Sequence, residues 1–277
     1  MVLKARGKVN LALNIVHRRE DGFHMLDGVM QSIDLFDIVY MEKAGDIQVL
    51  CGGVYGENIA IHAAQAFFAQ SGMTGGVHIR IDKRIPMMAG LGGGSADAAA
   101  VLYGLNILYQ TRLSQARLCS IGVQIGADVP FCLTGGTARA KGVGETLMPI
   151  HPKRQHEILL LKPQTGLATR DVYEHYDRFG GEQQNIDMLI SGLQNDDEEQ
   201  IACGVGNALE RSAVTLCDDI AHLKKSILQH GAFAAAMTGS GSAVFGLFRD
   251  KAPSISCSRL WSYTTKTCAQ GISVVTL

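Results

Sequence analysis

Residues 86–100 read Pro-Met-Met-Ala-Gly-Leu-Gly-Gly-Gly-Ser-Ala-Asp-Ala-Ala-Ala. No other stretch constrains the chain as strongly. Gly90, Gly92, Gly93 and Gly94 fall within five positions, with Leu91 among them and Ser95 directly after. The alternating segment before them, 77–82, predicts a strand. The alanines and apolar spacing of 98–105 predict a helix. Glycine lets a backbone adopt positive φ and approach a ligand closely. A helix that starts in such a loop turns unpaired N–H groups and the positive end of its dipole toward whatever the loop holds. Strand, glycine loop and helix in this order suit an anion, above all a phosphate.

Known phosphate loops narrow the choice. A Walker loop needs Gly-Lys-Ser/Thr, and no lysine follows Gly94. The dinucleotide fingerprint needs a third glycine where Ser95 stands and an acidic residue about 20 positions on, where none occurs. His-Arg-Asp and Asp-Phe-Gly, required of a protein kinase, are absent. A glycine-rich turn that merely caps a core helix is the simpler alternative.

The chain has 277 residues, enough for a large core in one or two domains. Its net charge of -1 and pI ≈ 6.7 favour neither nucleic acid nor an anionic membrane. No run of 18 apolar residues spans a membrane. Lys4, Arg6 and Lys8 precede an apolar patch broken by Asn10 and Asn14, which is not a signal peptide. Seven cysteines, odd in number and without Cys-x-x-Cys, predict buried reduced thiols and a cytoplasmic setting. Nine histidines show no zinc spacing.

Read in order, 9–15 alternates as a strand and puts Lys8, Asn10, Ala12 and Asn14 on one face. Asparagine is depleted from strands, so an exposed edge strand is the plain alternative. Asp21-Gly22 marks a turn just before Phe23 and His24, and 37–41 predicts a second strand. Segment 58–69 predicts an amphipathic helix that stops before Gly72, and Ser114 is placed to cap another. Asp128 sits among apolar neighbours two residues before Pro130, where a cap or turn aspartate is the simpler reading. Gly135-Gly136 and 142–145 predict hairpin turns. A boundary is expected near 151–154, with a strand over 157–161 beyond it. Residues 196–199 predict a solvated loop or helix start, 220–230 a helix, and 237–245 a second small-residue loop entering a strand.

Lys8-Val9-Asn10, the loop 86–100 and Thr238-Gly239-Ser240-Gly241 together resemble the GHMP superfamily of small-molecule kinases. Asp21-Gly22-Phe23-His24, Gly126-Ala127-Asp128-Val129-Pro130 and Gly142-Val143-Gly144-Glu145 extend the resemblance along nearly the whole chain. They narrow it to the branch that phosphorylates an alcohol carrying a cytidine diphosphate; another GHMP kinase, acting on a smaller alcohol such as homoserine, is the alternative. The resemblance implies an α+β fold in two domains. Residues 1–152 would form a ribosomal-protein-like ATP-binding domain and 153–277 a ferredoxin-like domain, as a monomer or homodimer. It implies ATP and Mg²⁺ as cofactors, a small-molecule substrate, and neither nucleic acid nor membrane as partner. Lys8 and Asp128 would be catalytic, with Asp128 accepting the hydroxyl proton or only positioning the hydroxyl. Asn58, Lys83, Gly90, Leu91, Gly92, Gly93, Gly94 and Ser95 would contact the nucleotide. Asn10, Phe23, His24, Thr169 and Tyr173 would contact the substrate, with the cytosine between Phe23 and Tyr173 and its edge on His24. No residue is assigned to the metal, though Ser95 is a candidate. The chain departs from the family pattern at Ala96, where a second serine is usual, and at Ala208 in Asn207-Ala208-Leu209-Glu210.

Overall fold

The computed structural model describes residues 1–52, 58–255 and 260–275, so Cys257 lies outside the described residues. Two long strands, β1 (Val2–Arg18) and β2 (His24–Ala44), pair antiparallel around the Asp21-Gly22 turn. They are followed by β3 (Ile47–Cys51), α1 (Ile59–Ser71), β4 (Gly76–Asp82), α2 (Gly93–Leu108), α3 (Gln115–Gly122), α4 (Val129–Thr134), β5 (Thr137–Gly142) and β6 (Thr146–Ile150). The second half comprises β7 (Glu157–Pro163), α5 (Thr169–Phe179), α6 (Ile186–Asn195), α7 (Glu198–Gly204), β8 (Gly206–Asn207), α8 (Glu210–Leu216), α9 (Asp219–Gln229), β9 (Ala234–Met237), β10 (Val244–Phe248), β11 (Leu260–Lys266) and β12 (Ile272–Val274).

One sheet runs β12-β1-β2-β4-β3, with β5 and β6 continuing from β2 and β8 lying parallel to β1. The other runs β11-β7-β10-β9, antiparallel throughout. The predicted strands at 9–15, 37–41, 77–82 and 157–161 are the inner parts of β1, β2, β4 and β7. Strand β1 is not an edge strand: β2 flanks it on one side, β12 and β8 on the other. Register shifts between Arg6 and Lys8 and between Asn10 and Ala12 re-aim its side chains. Lys8, Val9, Asn10 and Leu11 are therefore buried one after another, which plain alternation does not allow. Asn14 exchanges hydrogen bonds with the Gln184 backbone at 2.9 and 2.6 Å and so ties β1 to the second half.

Local capping follows the sequence. Asn58 Oδ1 accepts from Ala60 N at 2.9 Å, Ser114 Oγ from Arg117 N at 3.3 Å, and Asp197 Oδ1 from Gln200 N at 3.1 Å. The expected hairpin turn at Gly135-Gly136 is instead the link from α4 to β5. A Cβ on Gly135 would stand 2.1 Å from Gly271 N, so these glycines serve a close chain crossing rather than a hairpin. Residues 142–145 do turn β5 into β6. Exposed Cys203 departs from the expectation of uniformly buried thiols.

Helix α2 is the structural axis of the first half. Ala96, Ala98, Ala99, Ala100, Val101, Leu102 and Leu105 are completely buried. A Cβ at Gly104 would lie 2.5 Å from Met41 Sδ and 2.8 Å from Leu3 Cδ1, so glycine there lets the helix lie directly on β1 and β2. The apolar core continues into Ile158, Leu160, Phe245 and Leu247 of the second sheet. Helix and sheets are thus locked together, and the loop at the α2 N-terminus inherits a fixed position.

Candidate active site

Gly90 and Gly92 are left-handed, with φ of 72° and 70°, where any side chain but glycine is strained. A Cβ on Gly90 would also lie 2.0 Å from Thr238 O. The two small-residue loops therefore pack backbone to backbone. Ser242 N donates to Met88 O, Ala243 N donates to Ala89 O at 3.3 Å, and the Thr238 hydroxyl donates to Gly90 O at 3.2 Å. The first intrahelical bond of α2 runs from Ala96 N to Gly92 O. The N–H groups of Gly93, Gly94 and Ser95 precede it, at the positive end of the helix, and all three residues line the cleft. Ala96 lies in the core, so the missing second serine is not at the cleft.

Lys8 crosses beneath this loop. Its backbone N donates to Leu91 O at 2.9 Å, and a Cβ on Gly92 would touch its Cγ at 3.1 Å. Its Nζ donates to Asn10 Oδ1 at 2.6 Å and lies 3.3 Å from Asp128 Oδ2. The Lys8 side chain is only 4% exposed, whereas that of Asp128 is 28% exposed. Asp128 occupies the cap position of α4 but makes no capping hydrogen bond with its side chain. Its carboxylate faces Lys8 and the cleft, so the cap explanation does not account for it.

The far end of the cleft is aromatic. Phe23 is 63% exposed, on the turn where its N donates to Asp21 Oδ1. The His24 and Tyr173 rings stand 4.7 Å apart, tilted by 37°. Asp177 accepts from His24 Nε2 at 2.6 Å and pairs with Arg18 at 3.2 Å. Burial, then the Asp128 charge, push the Tyr173 phenol well above its ordinary value. Thr169 Oγ1 meets Ser240 Oγ at 2.9 Å, joining α5 to the second small-residue loop.

A single cleft of ≈ 950 Å³ connects these parts. Lys8, Asn10, Phe23, His24, Lys83, Gly90 to Ser95, Asp128, Thr169 and Tyr173 all line it. Of the nucleotide contacts expected from sequence, only Asn58 is not brought to the cleft wall; it caps α1.

Sequence reasoning missed the supports behind the cleft. Lys83 is flanked by the buried carboxylates of Asp37 and Asp97. Burial alone lowers the Lys83 pKa, but the Asp97 and Asp37 charges outweigh it and raise the net value. Asn207 Nδ2 donates to Met237 O at 2.9 Å and Gly239 O at 2.8 Å, and Glu210 Oε2 accepts from Met237 N at 2.9 Å. The altered motif at 207–210 thus holds the second loop in place. Its polar residues carried a signal in the sequence, but their targets are 27 to 32 positions away. Among the described residues no group of three or more His, Cys, Asp or Glu is arranged to hold a metal ion by itself.

A glycine loop at a helix N-terminus packed against a second small-residue loop, with a lysine–aspartate pair on the wall of the same cleft, is the arrangement expected of a GHMP-type kinase. Family models described as GHMP kinases N terminal domain and GHMP kinases C terminal match residues 58–136 and 189–259. The chain is 41% identical over 259 residues to 4-diphosphocytidyl-2-C-methyl-D-erythritol kinase of Caldicellulosiruptor bescii, covering 91% of this chain and 90% of that protein. It is 39% identical to the Alkaliphilus metalliredigens enzyme of the same name, over 90% of this chain and 88% of that one. A crystal structure of 4-(cytidine 5'-diphospho)-2C-methyl-D-erythritol kinase superposes with a TM-score of 0.78 at 32% identity, covering 96% of this chain and 99% of that one. Homoserine kinase from Cytophaga hutchinsonii shares the fold, with a TM-score of 0.76 at 18% identity over 99% and 97% of the two chains. The chain belongs to the 4-diphosphocytidyl-2-C-methyl-D-erythritol kinase family. It is a small-molecule kinase that uses ATP. No helix among the described residues is long and apolar enough to cross a membrane.

Proposed function

We propose that this protein transfers the γ-phosphate of ATP to the 2-hydroxyl of 4-diphosphocytidyl-2-C-methyl-D-erythritol, a step of the non-mevalonate route to isoprenoid precursors, in the cytoplasm. One observation carries the reading. The N-terminus of α2, the Lys8–Asp128 pair and the aromatic side chains Phe23, His24 and Tyr173 all line one cleft. Phosphoryl transfer is chiefly positioning and charge stabilisation. The Gly90 to Ser95 backbone would hold the phosphates, and Lys8 would balance charge beside the acceptor hydroxyl. Asp128 would accept that hydroxyl's proton or hold it in line. Asn10, bonded to Lys8, would orient the alcohol. Phe23 and Tyr173 would sandwich the cytosine while His24 meets its edge. Thr169, tied to Ser240, would also contact the substrate.

Mg²⁺ fits this donor set as a passenger of the nucleotide. It retains waters and needs only one or two protein oxygens besides phosphate, and the Ser95 hydroxyl is near the Gly126 to Asp128 turn. The ion would neutralise phosphate charge. We also propose that the two domains divide at 152/153, with β8 and β12 returning to the first sheet.

A coupled assay of ADP release tests the activity with 4-diphosphocytidyl-2-C-methyl-D-erythritol, homoserine and mevalonate in parallel. Turnover is expected with the cytidyl alcohol alone. Preference for homoserine would replace this reading with a smaller-alcohol kinase.

A further inference from the structure

Lys83 stands just after β4, 16% exposed in its side chain, and lines the cleft. Its ammonium touches Asp37 Oδ2 and lies 2.7 Å from Asp97 Oδ2. Asp37 comes from β2 and is completely buried; its other oxygen accepts the backbone N–H groups of Arg84 and Ile85, the latter at 2.8 Å. Asp97 comes from the second turn of α2 and is 4% exposed, with Oδ1 buried and unpartnered. A Cβ on Gly93 would lie 3.3 Å from Lys83 Nζ, which puts the ammonium against the first residue of α2.

This is an unusual expenditure of charge. Two buried carboxylates face one ammonium, and a lone counter-ion would neutralise only one of them. Burial, with the Asp37 charge adding to it, pushes the Asp97 carboxyl up despite the opposing Lys83 charge. A cluster that served stability alone would do better with an apolar residue at position 97 inside an alanine helix. Orientation is what the second carboxylate adds. An ammonium has three N–H donors. Asp37 and Asp97 take two, which leaves the third for the cleft that Lys83 lines.

We propose that Asp37 and Asp97 are positioning residues for the nucleotide: they fix Lys83 so that its remaining N–H is presented at the N-terminus of α2 to an acceptor atom of bound ATP. Asp37 also holds the chain entering the glycine loop, through the Arg84 and Ile85 backbone. The inference rests on the reading of Lys83 as a nucleotide contact.

The test is a double-mutant cycle on the full chain, read as ATP affinity by calorimetry and as KM for each substrate. Asp97→Asn and Lys83→Met are each expected to weaken ATP about tenfold, the loss of one hydrogen bond to a charged group. KM for the alcohol should stay within about twofold. The double variant should bind ATP no more weakly than Lys83→Met alone, because Asp97 acts through Lys83. Wild-type ATP affinity in Asp97→Asn, or a further tenfold loss in the double variant, would overturn the proposal. Wild-type affinity in Lys83→Met would instead remove the nucleotide contact itself, while the ADP-release assay judges the kinase reading separately. Asp97→Ala, which deletes the orphaned carboxyl altogether, provides the same comparison should Asp97→Asn fail to fold.

Discussion

Gly90→Ala is the sharpest perturbation of the phosphate site. Gly90 has φ of 72°, a conformation that costs an L-residue roughly 1–2 kcal/mol. Its new Cβ would stand 2.0 Å from the Thr238 carbonyl oxygen, so the loops must separate by more than an ångström. That movement breaks the Thr238 to Gly90 and Ala243 to Ala89 hydrogen bonds, each worth about 1 kcal/mol net. The total is roughly 3–4 kcal/mol, equivalent to about 10²–10³ in ATP affinity if the loop opens in the free protein. If the loss falls on the whole fold instead, the melting temperature should drop by about 6–16 °C for a chain of this size. Gly45→Ala is the control. Gly45 lies between β2 and β3, away from the cleft, and a Cβ there meets nothing within 4 Å. Alanine there should leave both ATP binding and melting temperature close to wild type. Titration calorimetry and thermal melts on both variants read the difference. If Gly90→Ala binds and melts like the wild type, or Gly45→Ala suffers equally, the packing of the two loops is not what forms the site.

Asp128→Asn should keep ATP affinity and lower kcat by about 10²-fold or more, the usual scale for a positioned acid–base group; near-normal turnover would remove Asp128 from the chemistry. Tyr173→Ala should weaken the cytidyl alcohol by roughly 1–3 kcal/mol, the loss of one base stack, with ATP unaffected; joint loss of both ligands, or of neither, misplaces the cytidine pocket. His156 is buried against Phe233 with both ring nitrogens unpartnered, and burial, then the Arg154 charge, hold its pKa below the ordinary 6.5. The folded state thus binds fewer protons at this ring than the unfolded state, so its stability contribution is complete above pH about 6.5 and declines as pH falls below that value. His156→Leu should flatten the fall in melting temperature between pH 7 and 5; an unchanged slope would show that other groups govern it.

The sequence by itself determined the strand–glycine loop–helix junction, because glycine clustering, alternation and alanine content are local signals. It also marked Asp21-Gly22, Ser114 and Gly142 to Glu145, whose turn and cap chemistry reaches only a few residues. The family resemblance supplied Lys8, Asn10, Phe23, His24, Lys83, Asp128, Thr169 and Tyr173, all of which line the cleft. Tertiary structure decided what local pattern cannot encode. Lys8 and Asn10 suggested an edge strand, yet bulges and the two small-residue loops, whose Leu91 O and Thr238 Oγ1 accept their backbone N–H groups, bury them. Asp128 has the setting of a helix cap, and only Lys8, 120 positions earlier in the chain, gives its carboxylate another task. Gly135-Gly136 looks like a hairpin because a turn and a tight chain crossing both call for glycine. Asp37 and Asp97 stand 60 positions apart and meet on one lysine because α2 lies flat on β1 and β2. Pairing across such separations depends on which elements pack together, and that is settled by burying the core as a whole rather than by any one stretch of chain.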